Sequence, residues 1–157
     1  MDEAFRAIAL LKERGLTLAT AESCTGGLLG KLLTDVPGSS AAYLGGVISY
    51  AYAVKEALLG VDAALLNEKG AVCAEVAGQM ACGVRERLHA DVSLSTTGNA
   101  GPGTDEKNHQ VGEIYIACAS KDGCAIRQLS LSGDRAENRL AACREALALL
   151  CQVLTCP

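Results

Sequence analysis

The sequence predicts an α/β fold, a mixed sheet covered on both faces by helices. Three observations carry this. Strand-like and helix-like segments alternate through the first two-thirds of the chain, the order that builds a partly parallel sheet. Two strand-like runs then follow one another around Lys121-Asp122-Gly123, a hairpin signal. The last segment is a long amphipathic helix. The 157 residues are 50% hydrophobic and 20% charged, enough apolar material for one core, so residues 1–157 are expected to form a single domain.

Taken in order, Asp2 to Arg14 reads as an amphipathic helix with Phe5, Ile8, Ala9 and Leu11 on one side and Gly15 as its stop. Leu16 to Ala21 is a short strand. Thr25 to Thr34 reads as a helix, with Leu28, Leu29, Leu32 and Leu33 on one face, and Asp35-Val36-Pro37-Gly38 makes a turn. Tyr43 to Tyr50 is a strand in which Gly45-Gly46 marks a close backbone approach. A short helix follows through Leu58 and ends at Gly60. Ala74 to Leu88 is a clearer helix, with Val76, Met80, Val84 and Leu88 at intervals of four. Val92 to Thr97 is a strand, and a turn-rich loop runs from Gly98 to Gln110. Val111 to Ala119 and Ala125 to Leu131 are the hairpin strands. Asp134 to Leu154 is the final helix: Asp134 and Glu137 fit a capping box, and Leu140, Cys143, Leu147, Leu150 and Leu154 form its apolar stripe.

Composition excludes several functional classes. The net charge of −4, with one Phe and four Tyr, argues against nucleic acid as a partner, which needs clustered cations and stacking surfaces. No apolar run reaches the ~20 residues of a spanning helix. Met1 to Arg14 mixes acids and bases rather than running basic and then apolar, so no secretion signal is read and a cytoplasmic location is expected. The eight cysteines include no C-x-x-C pair and there are only two histidines, so neither metal nor cofactor is expected. Most of the thiols are expected to be buried and free.

Three segments carry candidate chemistry. Ala21-Glu22-Ser23-Cys24-Thr25-Gly26-Gly27 joins a strand to a helix, where backbone N–H groups at a helix start bind an anion and a serine can stand as a nucleophile. The same residues serve equally well as a plain helix cap. Thr96-Thr97-Gly98-Asn99-Ala100-Gly101-Pro102-Gly103-Thr104 follows another strand, and ligands gather beyond the carboxyl ends of strands in α/β sheets. Neither segment has Walker or Rossmann spacing. Ser49-Tyr50-Ala51-Tyr52-Ala53-Val54-Lys55 leads from strand to helix, and small and apolar neighbours leave Lys55 open to desolvation, which lowers a lysine pKa.

At these segments the sequence resembles the CinA C-terminal domain family, which includes PncC-type nicotinamide-nucleotide amidohydrolases. The likeness is collinear: it includes the Ala21–Gly27 segment, Thr34-Asp35-Val36-Pro37-Gly38-Ser39-Ser40, Leu44-Gly45-Gly46-Val47, Leu58-Leu59-Gly60-Val61, Gly70-Ala71-Val72, Gly98, Ala100-Gly101-Pro102 and Ser132-Gly133-Asp134-Arg135. The resemblance implies a three-layer α/β/α domain and hydrolysis of nicotinamide mononucleotide to nicotinic acid mononucleotide and ammonia. It implies Ser23 as nucleophile, assisted by Lys55 and Tyr50. Departures stand at Tyr52 and Ala53, where the family has Asn and Glu, at Asn99, where it has Ile, and at Gly103-Thr104-Asp105, which replaces a glycine-rich run.

Without a Ser-His-Asp pattern, a neutral Lys55 is the expected base, directly or through Tyr50. Backbone N–H groups at Thr25, Gly26 and Gly27, or in the loop of Thr97, Gly98, Ala100 and Gly101, are expected to hold the oxyanion or the phosphate, and Arg135 suits the phosphate. Cys24 is a rival nucleophile, expected instead to pack into the core. His89 and His109 are expected at the surface. The expected partner is a small pyridine nucleotide, in a homodimer. Two other readings compete: a nucleotide-binding domain of the same family with impaired catalysis, motivated by the departures, and a structural partner of a DNA-uptake protein, which the acidic balance does not support.

Overall fold

The computed structural model describes residues 2–156, so Met1 and Pro157 of the expected 1–157 domain lie outside the described residues. Helix α1 is Glu3–Arg14, capped by the Asp2 carboxylate and ended by Gly15. Strand β1 is Leu18–Glu22, α2 is Leu28–Thr34, and a short 3-10 turn at Ser39–Ala41 leads to β2 at Tyr43–Ile48. Helices α3 (Tyr52–Leu59), α4 (Ala63–Lys69) and α5 (Ala74–Arg87) precede β3 (Val92–Gly98). Strands β4 (Glu113–Ser120) and β5 (Gly123–Ser130) form the expected hairpin, and α6 (Arg135–Thr155) ends the described chain.

The five strands lie in the order β2-β1-β3-β4-β5. β1 pairs parallel with β2 and β3, whereas β4 pairs antiparallel with β3 and β5. The sheet is thus mixed. One face, including Leu18, Leu94 and Ile116, packs on α1, α2 and α6; the other, including Ala19 and Ala21, packs on α3, α4 and α5. Each buried Leu or Ile contributes about 1.5–3 kcal/mol to this packing. The face toward α5 is made of small residues. Ser93 and Ser95 on β3 donate their hydroxyls to the carbonyls of Ala81 and Ala77, each at 2.6 Å. Side chains two apart on a strand thereby meet carbonyls four apart on a helix, which draws α5 close to the sheet.

Several boundaries differ from expectation. α2 begins at Leu28 rather than Thr25, because Gly26 and Gly27 take left-handed φ values of 56° and 106°. That conformation is open to glycine and closed to a helix. β1 starts later and runs one residue further, to Glu22. β2 stops at Ile48, two residues short of Tyr50. β4 begins at Glu113 rather than Val111. α4 is an element the sequence reading missed: Asp62 caps it by accepting from the Ala64 N–H at 2.9 Å, and Gly70 follows it. Gly46 does mark a close approach, since a side chain there would strike Thr20 across the β1–β2 pair. The capping box of α6 is formed by Asp134 and Glu137. The thiols are all free, but only Cys24, Cys118, Cys143 and Cys151 are buried. Cys73 is half-buried and Cys82, Cys124 and Cys156 are exposed, correcting the expectation that most are buried: α5 and β5 turn Cys82 and Cys124 outward. Among the described residues no helix is long and apolar enough to cross a membrane.

Candidate active site

β1 and β3 are neighbours and both end at the same edge of the sheet, which brings their two loops together as expected for an α/β sheet. Ser23 follows β1 directly. Its N–H donates to Thr96 O at 3.0 Å, extending the β1–β3 pairing by one residue before the chain turns. Lys55 arrives from the other side, on the first turns of α3. It is fully buried, and Nζ lies 2.9 Å from Ser23 Oγ, 2.6 Å from Ser49 O and 3.1 Å from Tyr50 O. Burial pulls its pKa from 10.5 down to about 8, with the charges of Cys24 and Asp105 working in the opposite direction.

This geometry fixes the direction of proton transfer. Carbonyl oxygens only accept, so the Ser49 and Tyr50 carbonyls each require an N–H of the lysine. A neutral amine has two N–H bonds and one lone pair. With both N–H bonds engaged, the lone pair is left for Ser23 Oγ, which then donates its hydroxyl proton. In the ammonium form all three contacts are donated by Nζ and the serine is not activated.

The pair opens on a cavity of about 300 Å³. Of the residues expected at the site, Ser23, Lys55, Tyr50, Thr97, Gly98, Ala100 and Arg135 line it. Tyr50 is placed differently from expectation. Its carbonyl holds Lys55, whereas its hydroxyl is at an exposed rim and accepts from Arg135 Nη2 at 3.4 Å. Arg135 also donates Nη1 to Gly101 O at 2.9 Å, so Gly101 anchors the arginine without lining the cavity.

Thr25, Gly26 and Gly27 are not in the cavity lining, and the start of α2 is not free for an anion. Glu22 occupies it. The buried Glu22 carboxylate accepts from the N–H groups of Gly27 (3.2 Å), Leu29 (2.9 Å) and Gly30 (3.0 Å) and from Thr25 Oγ1 (2.6 Å). A carboxylate at a helix N-terminus satisfies orphan donors and meets the positive end of the dipole. Gly26 N–H is used as well, by Ser23 O. The N–H groups of Cys24 and Ala100, both cavity-lining residues, make no backbone–backbone hydrogen bond among the described residues.

Cys24 packs into the core, and burial pushes its thiol pKa up to about 12. A thiol that resists ionisation is a poor nucleophile. His89 and His109 are exposed and outside this cavity. Among the described residues no three His, Cys, Asp or Glu side chains gather as a metal would require.

Sequence reasoning missed the residues that hold the loops. Glu22 is one. Arg139 on α6 is another, donating to Cys24 O at 3.1 Å and Thr25 O at 2.9 Å. The buried Asn138 donates to Ala100 O and Gly133 O, each at 3.0 Å, and so ties the β3–β4 loop to α6. Tyr52, Thr104 and Asp105 also line the cavity. No local signal marked any of the three: Glu22 stands at the end of a strand, outside the first turn of α2.

The chain matches the CinA C-terminal domain family over residues 3–154. A CinA-like protein of Geobacter sulfurreducens is 50% identical over 126 residues, covering 80% of this chain and 30% of that protein. A CinA-like protein of Frankia casuarinae is 50% identical over 147 residues, covering 94% and 34% respectively. The chain therefore spans about a third of the length of these curated relatives. Among solved structures, a competence-damaged protein (CinA) superfamily protein from Klebsiella pneumoniae superposes with a TM-score of 0.93 at 30% identity, covering 97% of this chain and 95% of that one. The competence/damage inducible protein CihA from Agrobacterium tumefaciens gives 0.92 at 35%, covering 99% and 97%.

Proposed function

The chain belongs to the CinA C-terminal domain family, and from that membership and the Ser23–Lys55 contact we propose that it is an amidohydrolase converting nicotinamide mononucleotide to nicotinic acid mononucleotide and ammonia. The observation that carries the reading is the lysine amine held by two carbonyls with its third position on Ser23 Oγ.

The steps follow from that arrangement. Neutral Lys55 takes the Ser23 proton as Oγ attacks the carboxamide carbon. The resulting oxyanion is received by the Cys24 and Ala100 N–H groups, which make no backbone–backbone hydrogen bond among the described residues. Lys55, now an ammonium, gives its proton to the departing nitrogen and ammonia leaves. Water then attacks the acyl-serine ester with Lys55 again as base, releasing the carboxylate and restoring Ser23. Arg135 at the rim suits the nucleotide phosphate, and the chemistry draws on no cofactor. The setting proposed is the reducing cytoplasm, where eight free thiols persist.

A binding-only domain of the same family is the competing reading, motivated by Tyr52, Ala53 and Asn99. Tyr52 and Asn99 bond to Asp105, Ala53 is exposed, and none of the three side chains hydrogen-bonds to Ser23 or Lys55, which favours catalysis. The test is ammonia release from nicotinamide mononucleotide by the purified protein beside Ser23→Ala. Release no greater than that of the Ser23→Ala protein overturns the amidase reading.

A further inference from the structure

Three residues of the cavity lining, Tyr52, Asn99 and Asp105, are joined by hydrogen bonds. Tyr52 Oη donates to Asp105 Oδ1 at 2.5 Å, the Asp105 N–H donates to Asn99 Oδ1 at 2.8 Å, and the Lys107 N–H donates to Asp105 Oδ2 at 3.2 Å. Asn99 is buried, and its Nδ2 donates to the carbonyls of Asn108 and Gln110, each at 3.0 Å. Asp105 is thus a clamped carboxylate, one oxygen held by a side chain from α3 and the other by its own loop. Among the described residues it is the one acidic side chain lining the cavity that Ser23 and Lys55 also line.

We infer that Asp105 is a specificity-determining residue that selects a cationic N-ribosylpyridinium ring over a neutral dihydropyridine ring of the same shape. This rests on the amidase reading. The reacting carboxamide carbon must lie against Ser23 Oγ. In a nicotinamide ring the ring nitrogen is three covalent bonds from that carbon, so the ring shares the Lys55 end of the cavity. Arg135 stands at the rim with Tyr50 and takes the phosphate end. The ring's positive charge then needs a counter-charge at its own end, and Asp105 supplies it. An anion already fixed by hydrogen bonds needs no reorganisation when the cation arrives. Asp105 also offsets the repulsion a cationic ring would feel from Lys55 and Arg135.

The experiment measures affinity by calorimetry in the Ser23→Ala protein, where turnover is removed, for oxidised and reduced nicotinamide mononucleotide. The oxidised form is expected to bind at least about tenfold more tightly. Adding Asp105→Asn, which keeps an acceptor for Tyr52, is expected to cost the oxidised form about tenfold and the reduced form less than about twofold. Tyr52→Phe keeps the charge but loosens it and is expected to fall between; it carries the test if a melting curve shows Asp105→Asn unfolded. An equal loss for both rings means that Asp105 binds a group they share, such as a ribose hydroxyl, and overturns the inference. So does a ratio unchanged by both substitutions. The two readings separate cleanly. Ammonia release by the protein with Ser23 intact, together with equal affinity for the two rings, leaves the amidase reading standing and removes this one. No ammonia release, with an Asp105-dependent preference for the oxidised ring, does the reverse.

Discussion

Raising the pH should switch on Lys55, and the size of the effect follows from its burial. With a pKa lowered from 10.5 to about 8, the neutral amine makes up about 9% of molecules at pH 7 and about 90% at pH 9. kcat/KM for ammonia release, which reports the free enzyme, is expected to rise about tenfold across that interval. It should climb with a slope approaching one per pH unit below about 8 and level above it. An unshifted lysine would still be climbing beyond pH 10. Stability is linked to the same proton. The folded pKa lies below the unfolded one, so the buried ammonium opposes folding below pH 8, and this opposition fades as pH rises from 8 to 10.5. The shift corresponds to on the order of 3 kcal/mol. Lys55→Met removes the base and Lys55→Arg keeps a charge that cannot surrender its proton; each is expected to cost about 10²–10⁴ in kcat. Steady-state ammonia release from pH 6 to 10, with circular dichroism to show that each variant is folded, checks this. A flat profile between pH 6 and 9, or substantial kcat in Lys55→Arg with only KM raised, refutes the base assignment and leaves Lys55 as an anchor.

Other perturbations read other parts of the structure. Ser23→Ala is expected to abolish ammonia release while Cys24→Ala retains it; the reverse pattern in folded proteins would move the nucleophile to Cys24. Glu22→Gln turns one carboxylate oxygen into an amide that faces N–H donors at the start of α2, so it is expected to cost about 2–3 kcal/mol and lower the melting temperature by roughly 5–10 °C. An unchanged melting curve would show that the cap contributes nothing. The edge strand β2 exposes Leu44 (50%) and Ile48 (57%), and a homodimer that covers such a patch is proposed. Light scattering showing a monomer across micromolar concentrations rejects it.

The regular elements were legible because apolar spacing alone encodes which face is buried, as in the stripe of Leu147, Leu150 and Leu154 on α6. Their ends were less so, since an end depends on local dihedrals: Gly26 and Gly27 delay α2 by three residues within a run that looks helical throughout. Ser23 and Lys55 were each legible locally, as a serine at a strand–helix junction and a lysine among small and apolar residues, but their contact joins positions 32 apart on different elements, which no local rule supplies. Glu22 escaped notice because an acid at a strand end looks like any solvated residue until the fold buries it. The helix-start N–H groups were misread for the same reason: their acceptor was the residue that had been passed over. Asn99, Tyr52 and Asp105 looked like losses because each was compared with the family singly, whereas in space they bond to one another.

The two carbonyls that orient Lys55 belong to the main chain at Ser49 and Tyr50. Side-chain drift cannot delete a peptide oxygen. An imidazole oriented by a carboxylate loses its alignment with one point mutation in that carboxylate, whereas here every residue that preserves the path of the chain from β2 into α3 preserves the amine's direction. The cavity-lining positions of this stretch, Tyr50 and Tyr52, are accordingly free to change side chain without removing either carbonyl. A domain built this way can change what it recognises much faster than it can lose the chemistry it performs.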